Sequence, residues 1–239
     1  MNFLDRILDA KRAELERAKR RLPYEALRDL VAAATPARDF AGALTRGDGP
    51  RIIAEVKRAS PSRGVLRPQQ ATVDWQPEAL ALEYARGGAV ALSVLTDVHF
   101  FWGHPDAIAA CRDAVDLPAL RKEFVLDPYQ VDESRWLGAD AVLLIVRALD
   151  QETLGICAAR TAELGMAVLV EIHADSELPA ALGIPNAIIG INHRDLEAQT
   201  MDMKRAERLR PQIPDDRLVV AESGLSDAAQ VKRLAELGI

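Results

Sequence analysis

Only two cysteines occur among the 239 residues, Cys111 and Cys157, and they stand at no metal-binding or redox spacing. That excludes a disulfide framework and a thiolate metal site, and leaves both as reduced packing residues in a reducing compartment. Aromatic side chains are scarce too, at 5%, which disfavours an aromatic-rich β-sandwich. No apolar run approaches the roughly 18 residues needed to span a bilayer. The segment from Met1 to Arg21 is charged throughout and lacks the apolar centre of a signal peptide. A cytoplasmic protein with no membrane partner is therefore expected. Positive charge is not in excess either: the formal net charge of −6 leaves no basic face for nucleic acid. A small anionic partner stays admissible, because a local cluster of Lys and Arg holds it whatever the overall sign.

What the sequence does have is Ala, Leu, Val and Ile, within a hydrophobic fraction of 49%. The length suits one large α/β domain at least as well as two small ones. From Ile52 onward, short apolar runs alternate with longer amphipathic stretches. Strands are expected at Ile52–Lys57, Ala91–Leu95, Ala119–Lys122, Ala141–Ile145, Val168–Ile172, Ala187–Ile191 and Leu218–Glu222. The helical stretches between them end at glycines such as Gly87, Gly138, Gly165 and Gly238, a frequent C-terminal stop. Nearly all-apolar strands alternating with helices mean parallel pairing covered by helices. An open doubly wound sheet would want a Gly-rich turn after its first strand. The residues from Arg58 to Gly64 form neither a dinucleotide fingerprint nor a Walker A pattern.

The expected fold is thus α/β, a (βα)8 TIM barrel in which the eighth βα unit is missing from the chain, which reaches Ile239 where that unit should begin. Residues 1–49 form an N-terminal helical extension and residues 50–239 the barrel, units one to seven. In the extension, Phe3–Arg20 reads as a charged amphipathic helix with Leu4, Ile7, Leu8 and Leu15 on one stripe. It serves either as packing or as a cover over one mouth of the barrel.

Charge inside a barrel strand is costly unless it is paired or sits at the open end. Period-two alternation puts Ile53, Glu55 and Lys57 on one face, Leu120, Lys122 and Phe124 on another, and Leu169, Glu171 and His173 on a third. The sixth strand runs out into Asn192 and Arg194, and the seventh into Glu222, Ser223 and Gly224. Several strands turn polar at their C-terminal ends, where barrel active sites are built. One such end would pass for a structural ion pair; five on separate strands point to acid–base chemistry on a small anion. A partly desolvated lysine protonates a carbonyl oxygen, and a glutamate opposite it accepts a proton. Arg194 and Ser60 suit a carboxylate, and the backbone N–H groups of Ser223 and Gly224 suit a phosphate. His99 and His104 read as solvent-facing loop residues and Trp75 and Trp136 as helix packing. His173 is the one histidine placed for a site role. No His, Asp and Glu cluster has metal-ligand spacing.

These residues also carry a resemblance. Ile53 to Gly64, Ser93 to Asp97 with Phe100 to Gly103, Leu120 to Phe124 with Asp127 to Gln130, Leu169 to Ile172, Gly190 to Leu196 and Val220 to Gly224 resemble, in order, the motifs of the indole-3-glycerol phosphate synthase family. The resemblance implies ring closure of 1-(2-carboxyphenylamino)-1-deoxyribulose 5-phosphate with loss of CO2 and water, a carboxy-lyase step of tryptophan biosynthesis. It implies no cofactor and no metal. Lys122 would be the acid on the substrate carbonyl and Glu171 would serve the later dehydration, with Glu55 and Lys57 between them; the acid of the dehydration stays open between Lys57 and another group. Asn192, Glu222 and Arg194 would orient substrate, Phe101, Phe124, Leu143 and Leu196 would line the wall around the aryl ring, and Ser223 and Gly224 would supply half of the phosphate site. Glu123 and His193 depart from the family's usual residues, on strand faces where little consequence is expected. The other half of the phosphate site is expected beyond Ile239. A monomer or weak homodimer is expected. The rival readings are a related phosphosugar-barrel isomerase, which would use an Asp or Cys acid–base pair, and an inactive or engineered barrel scaffold.

Overall fold

A computed structural model describes residues 2–47, 49–60, 64–66, 75–195 and 200–239. Three helices come first: α1 (Phe3–Arg21), α2 (Tyr24–Ala32) and α3 (Phe40–Ala43). Then strands and helices alternate: β1 (Ile53–Val56), α4 (Pro77–Arg86), β2 (Ala91–Leu95), α5 (Ala107–Ala114), β3 (Ala119–Lys122), α6 (Pro128–Trp136), β4 (Ala141–Ile145), α7 (Gln151–Glu163), β5 (Ala167–Ile172), α8 (Leu178–Leu182), β6 (Ile188–Asn192), α9 (Arg205–Leu209), β7 (Val219–Glu222) and α10 (Ala228–Glu236). Strand ends fall within one residue of those expected from the apolar runs. A short antiparallel ribbon, Ala59–Ser60 with Gly64–Val65, follows β1.

The seven strands form one parallel sheet in sequence order, the arrangement of a TIM-type barrel. Burial on both faces explains the composition: all five residues of β2 and of β4 are buried, one face under the helices and the other in the barrel interior. Local signals set the helix ends. Asp127, Asp150 and Asp227 accept backbone N–H groups at the starts of α6, α7 and α10. Past the ends of α6 and α7 the chain turns through Gly138 and Gly165 at φ of 95° and 71°, a conformation that a side chain makes costly.

Within the sheet, β1 and β7 are the end strands, and no strand pairs β1 with β7 among the described residues. Ile52, just before β1, is 43% exposed there.

The extension wraps the barrel from one end to the other. Leu4, Ile7 and Leu8 of α1 join the buried cluster that holds the interior side chains Leu120, Leu143 and Leu169. Farther along, Lys19 pairs with Asp127 at 2.7 Å and the Tyr129 hydroxyl donates to the Leu22 carbonyl at 2.8 Å. Beyond α2, the Arg38 backbone N–H donates to buried Asp140 at 2.7 Å, and the Arg38 guanidinium donates to the carbonyls of Val115 and Leu117. Asp140 also accepts from the Ala119 N–H at the start of β3, so one carboxylate ties the extension to the base of the sheet. Phe40 of α3 is fully buried in the interior cluster. One expectation fails: Trp136 is 43% exposed at the end of α6, because the helix turns that side chain away from the sheet. Trp75 does pack against the outer core.

Candidate active site

Parallel register decides which strand ends meet. Glu55 lies beside Ser93, Leu95 beside Lys122, Ile145 beside Glu171, and Asn192 beside Glu222. The charged positions therefore gather at the C-terminal ends of the strands, around a cavity of about 1220 Å3 that also extends beside β1 and β7 as far as Ile52, Leu218 and Ile239. The candidate site residues read from the sequence line it, except His173, which is wholly buried behind Glu171, and Leu196, which lies outside the described residues.

At its centre the Lys122 ammonium is 2.5 Å from Glu171 Oε2 and 2.5 Å from Glu222 Oε2. Glu55 and Lys57 pair with each other instead of standing between Lys122 and Glu171. Glu222, expected only to orient substrate, thus shares the ammonium with Glu171. Burial opposes the charge on Lys122, but Glu171, Glu222 and Glu55 outweigh it and raise its pKa above the usual lysine value. Burial would also raise Glu171, yet the Lys122 charge, with His173 behind it, holds that carboxyl well below the usual range. Glu222 goes the other way: burial and the neighbouring Glu171 charge push it up to about 8. Two carboxyl groups that share one buried ammonium and repel each other are thus driven apart in proton affinity, with Glu171 the easier of the two to ionise.

Gly190 makes that packing possible, a role unseen in the sequence. It is the register partner of Glu171, and a Cβ there would lie 2.5 Å from Glu222 Oε1 and 2.6 Å from Leu169 Cδ2. Beyond β6, Asn192 Oδ1 accepts the Arg194 backbone N–H at 2.9 Å, which sets the path of the loop that carries Arg194 into the cavity.

Past β7 the chain turns sharply through Ser223 at φ 67° and Gly224 at φ 76°. A left-handed serine is strained, and His193 braces it: the buried ring donates from Nδ1 to the Ser223 carbonyl at 3.0 Å. That bond is a contact the sequence did not reveal. Consecutive turned residues of this kind point backbone N–H groups at an anion.

The opposite wall is apolar. Phe101 and Phe124 face each other with ring centroids 6.2 Å apart, over buried Leu143. Asp97 Oδ1 fixes this wall by accepting the N–H groups of Phe100 and Phe101, at 2.6 and 2.9 Å. Phe100 meets Phe3 of α1 edge-on, whereas Trp102 is 47% exposed with the Arg58 guanidinium over its ring. Only the middle residue of the aromatic triplet therefore lines the cavity.

Behind the wall lies a buried ion cluster that sequence reading missed. Lys11 of α1 reaches Asp97 at 2.6 Å, Glu14 at 2.8 Å and Glu123 at 3.1 Å. Burial disfavours its charge, but Glu123 and Asp97 raise its pKa above the usual value. Glu123 also accepts from the Thr96 hydroxyl at 2.8 Å, so the residue next to Lys122 is anchored on two sides. The signal was present: Lys11 falls on the apolar stripe, at helical spacing from Ile7 and Leu15.

Among the described residues no group of three or more His, Cys, Asp or Glu side chains is arranged to hold a metal ion.

Comparison with known proteins accords with this geometry. The family model described as indole-3-glycerol phosphate synthase matches residues 4–239. The chain is 45% identical to the indole-3-glycerol phosphate synthase of Laribacter hongkongensis over 242 residues, covering 100% of this chain and 90% of that protein. It is 47% identical to that of Dehalococcoides mccartyi strain BAV1 over 241 residues, covering 99% and 91%. Among solved structures, one titled "Native KDPGal structure" superposes with a TM-score of 0.50 at 21% identity, covering 76% of this chain and 77% of that one, a likeness of fold alone. With the motifs, the parallel sheet and the full-length match in agreement, the chain belongs to the indole-3-glycerol phosphate synthase family.

Proposed function

We propose that the cavity closes the indole ring of 1-(2-carboxyphenylamino)-1-deoxyribulose 5-phosphate, with Lys122 as the first acid and Glu171 as the later proton acceptor. As a member of its family the chain is a carboxy-lyase of tryptophan biosynthesis. The observation that carries the assignment of roles is the Lys122 ammonium held between Glu171 and Glu222 beside the Phe101–Phe124 wall.

The aryl ring packs against Phe101, Phe124 and Leu143, which brings the ring carbon bearing the carboxylate near the sugar carbonyl. That carbon attacks, and Lys122 gives the carbonyl oxygen its proton. CO2 then leaves, and the carbon–carboxylate electron pair restores the aromatic ring. In the dehydration the new hydroxyl departs as water with a proton from Lys57, which Glu55 holds in place. Glu171 takes the proton lost from the neighbouring methylene as the ring double bond forms, and returns it to Lys122. Across the cycle one proton enters from solvent, through Lys57. Arg194, Asn192, Glu222 and Ser60 orient the substrate, and the backbone N–H groups of Ser223 and Gly224 hold its phosphate.

The isomerase alternative finds less support. Cys111 and Cys157 are buried in α5 and α7, and burial pushes both thiols up to about 12, which suits packing and not proton transfer. A decayed scaffold would have had no reason to keep the paired charges of Glu55, Lys57, Lys122 and Glu171.

We further read the enzyme as a cytoplasmic monomer or weak homodimer with no nucleic-acid partner. The net charge of −6 supports this, as does the lack, among the described residues, of a helix long and apolar enough to cross a membrane.

Two substitutions test the roles. Lys122→Ala is expected to abolish turnover of the aryl-amino ribulose phosphate while far-UV circular dichroism stays unchanged; near wild-type turnover would overturn its assignment. Glu171→Gln is expected to lower kcat far more than it raises KM. The reverse pattern would make Glu171 a binding residue.

A further inference from the structure

His173 has no part in the steps above, yet it is the second partner of Glu171. It follows β5 directly and is wholly buried. Its Nε2 lies 2.6 Å from Glu171 Oε1, and its Nδ1 lies 2.8 Å from the backbone carbonyl oxygen of Arg194. A carbonyl oxygen can only accept. Nδ1 therefore carries a hydrogen and donates it, which settles the tautomer. In a neutral ring of that tautomer Nε2 has no hydrogen, so the short contact with Glu171 must contain one further proton. Either an imidazolium donates to the carboxylate, or a protonated Glu171 donates to a neutral ring.

The surroundings favour the first arrangement. Burial works against a charged ring, but Glu171 and its hydrogen bond carry His173 above the usual histidine range. The other charges nearby belong to neighbouring loops: Glu177, which accepts the His173 backbone N–H at 2.6 Å, and Arg147 after β4, which pairs with Glu177 at 2.7 Å and with Asp195 at 3.4 Å. Arg147 lowers the ring and is itself engaged by two carboxylates. Lys122 and Glu222 reach His173 only through Glu171.

The reaction sequence gives this pair a purpose. Once Lys122 has passed its proton to the substrate carbonyl, Glu171 loses the ammonium that balanced it while still facing Glu222 in a buried site. With no other cation beside it, Glu171 would become the favoured resting place for a proton before the dehydration needs it empty. We propose that His173, as an imidazolium, is the positioning residue that keeps Glu171 ionised and aimed after Lys122 has given up its proton. The ring holds Oε1, which leaves Oε2 turned toward Lys122 and the substrate. No proton leaves His173 in the cycle: Glu171 takes one from the methylene carbon and returns it to Lys122. The inference rests on the reading of Glu171 as the acceptor in dehydration.

Its test has two independent parts. In uniformly 15N-labelled wild-type protein, both ring nitrogens of His173 should show protonated shifts at neutral pH. In Glu171→Gln the ring should be neutral, with its hydrogen on Nδ1. A neutral His173 ring in the wild type overturns the proposal without any variant having to fold.

Kinetically, His173→Gln keeps an N–H for Oε1 but removes the charge. It should lower kcat by about tenfold or more with little change in KM. It should also move the acid limb of the kcat profile to higher pH, because Glu171 becomes harder to ionise. Wild-type kcat and an unmoved limb in His173→Gln, alongside an inactive Glu171→Gln, would refute the role of His173 alone. Full activity in Glu171→Gln would instead remove the reading of Glu171 beneath it.

Discussion

The Lys11 ammonium, on the first helix, lies 3.1 Å from the carboxylate of Glu123, the residue that follows Lys122. Both side chains are buried, at 3% and 5% exposure. Helix α1 is therefore ion-paired to the strand end that carries Lys122. Through Asp97, the same ammonium is also tied to the backbone that positions Phe101.

Lys11→Met should consequently cost much more than a surface charge. It leaves Asp97 and Glu123 buried without their cation, an arrangement that destabilises by about 3–5 kcal/mol. The urea midpoint should fall at an unchanged m-value. A midpoint close to wild type would mean that the cluster is not holding the helix.

Glu222 predicts a pH dependence of stability. Its carboxyl is raised to about 8 in the folded chain, so the native state binds this proton more tightly than the unfolded state does. That contribution is complete below the ordinary Glu value of about 4.3. It is lost as pH rises from there through about 8. The melting temperature of the wild type should therefore decline across this window more steeply than that of Glu222→Gln. Parallel profiles for the two proteins would show that Glu222 is not the group responsible.

At Gly190 the constraint is space. An alanine methyl would lie 2.5 Å from Glu222 Oε1 and 2.6 Å from Leu169 Cδ2, so one of them must move. Glu222 is expected to leave Lys122, at a cost of about 1–3 kcal/mol for the overpacked strand. Urea denaturation and kcat should fall together in Gly190→Ala. A variant with unchanged kcat would show that the position of Glu222 beside Lys122 is immaterial to turnover.

Ser223→Gly should do the opposite to stability. The serine is held at φ 67°, where a side chain costs about 1–2 kcal/mol. Glycine relieves that strain but gives back part of the gain through the freer unfolded chain, for a net increase of up to about 1 kcal/mol. If the backbone N–H groups hold the phosphate, KM should stay within about twofold of wild type. A large rise in KM would assign the phosphate contact to the hydroxyl instead.

Strand-end chemistry was legible because it depends on local rules. Period two in the backbone placed Glu55 with Lys57, and Leu169 with Glu171 and His173, before any contact between strands was known. The helix stops at Gly138 and Gly165 were readable for the same reason. Lys11 was half legible: its place on the apolar stripe showed burial, but its partners Asp97 and Glu123 lie on two other elements far along the chain. Trp136 was misread because a large apolar side chain says nothing about which way a helix turns it. The brace from His193 to Ser223 was out of reach, since it joins the ends of β6 and β7.

The order of residues by itself determined the alternation of strands and helices and the polar turn at each strand's C-terminal end, both products of backbone periodicity and solvation. Tertiary structure alone decided that Lys122 sits between Glu171 and Glu222 while Lys57 pairs with Glu55. Strand register and the missing side chain of Gly190 set those distances. Proton affinity inside the site then follows from the sum of all neighbouring charges and the loss of water, quantities that no stretch of sequence contains.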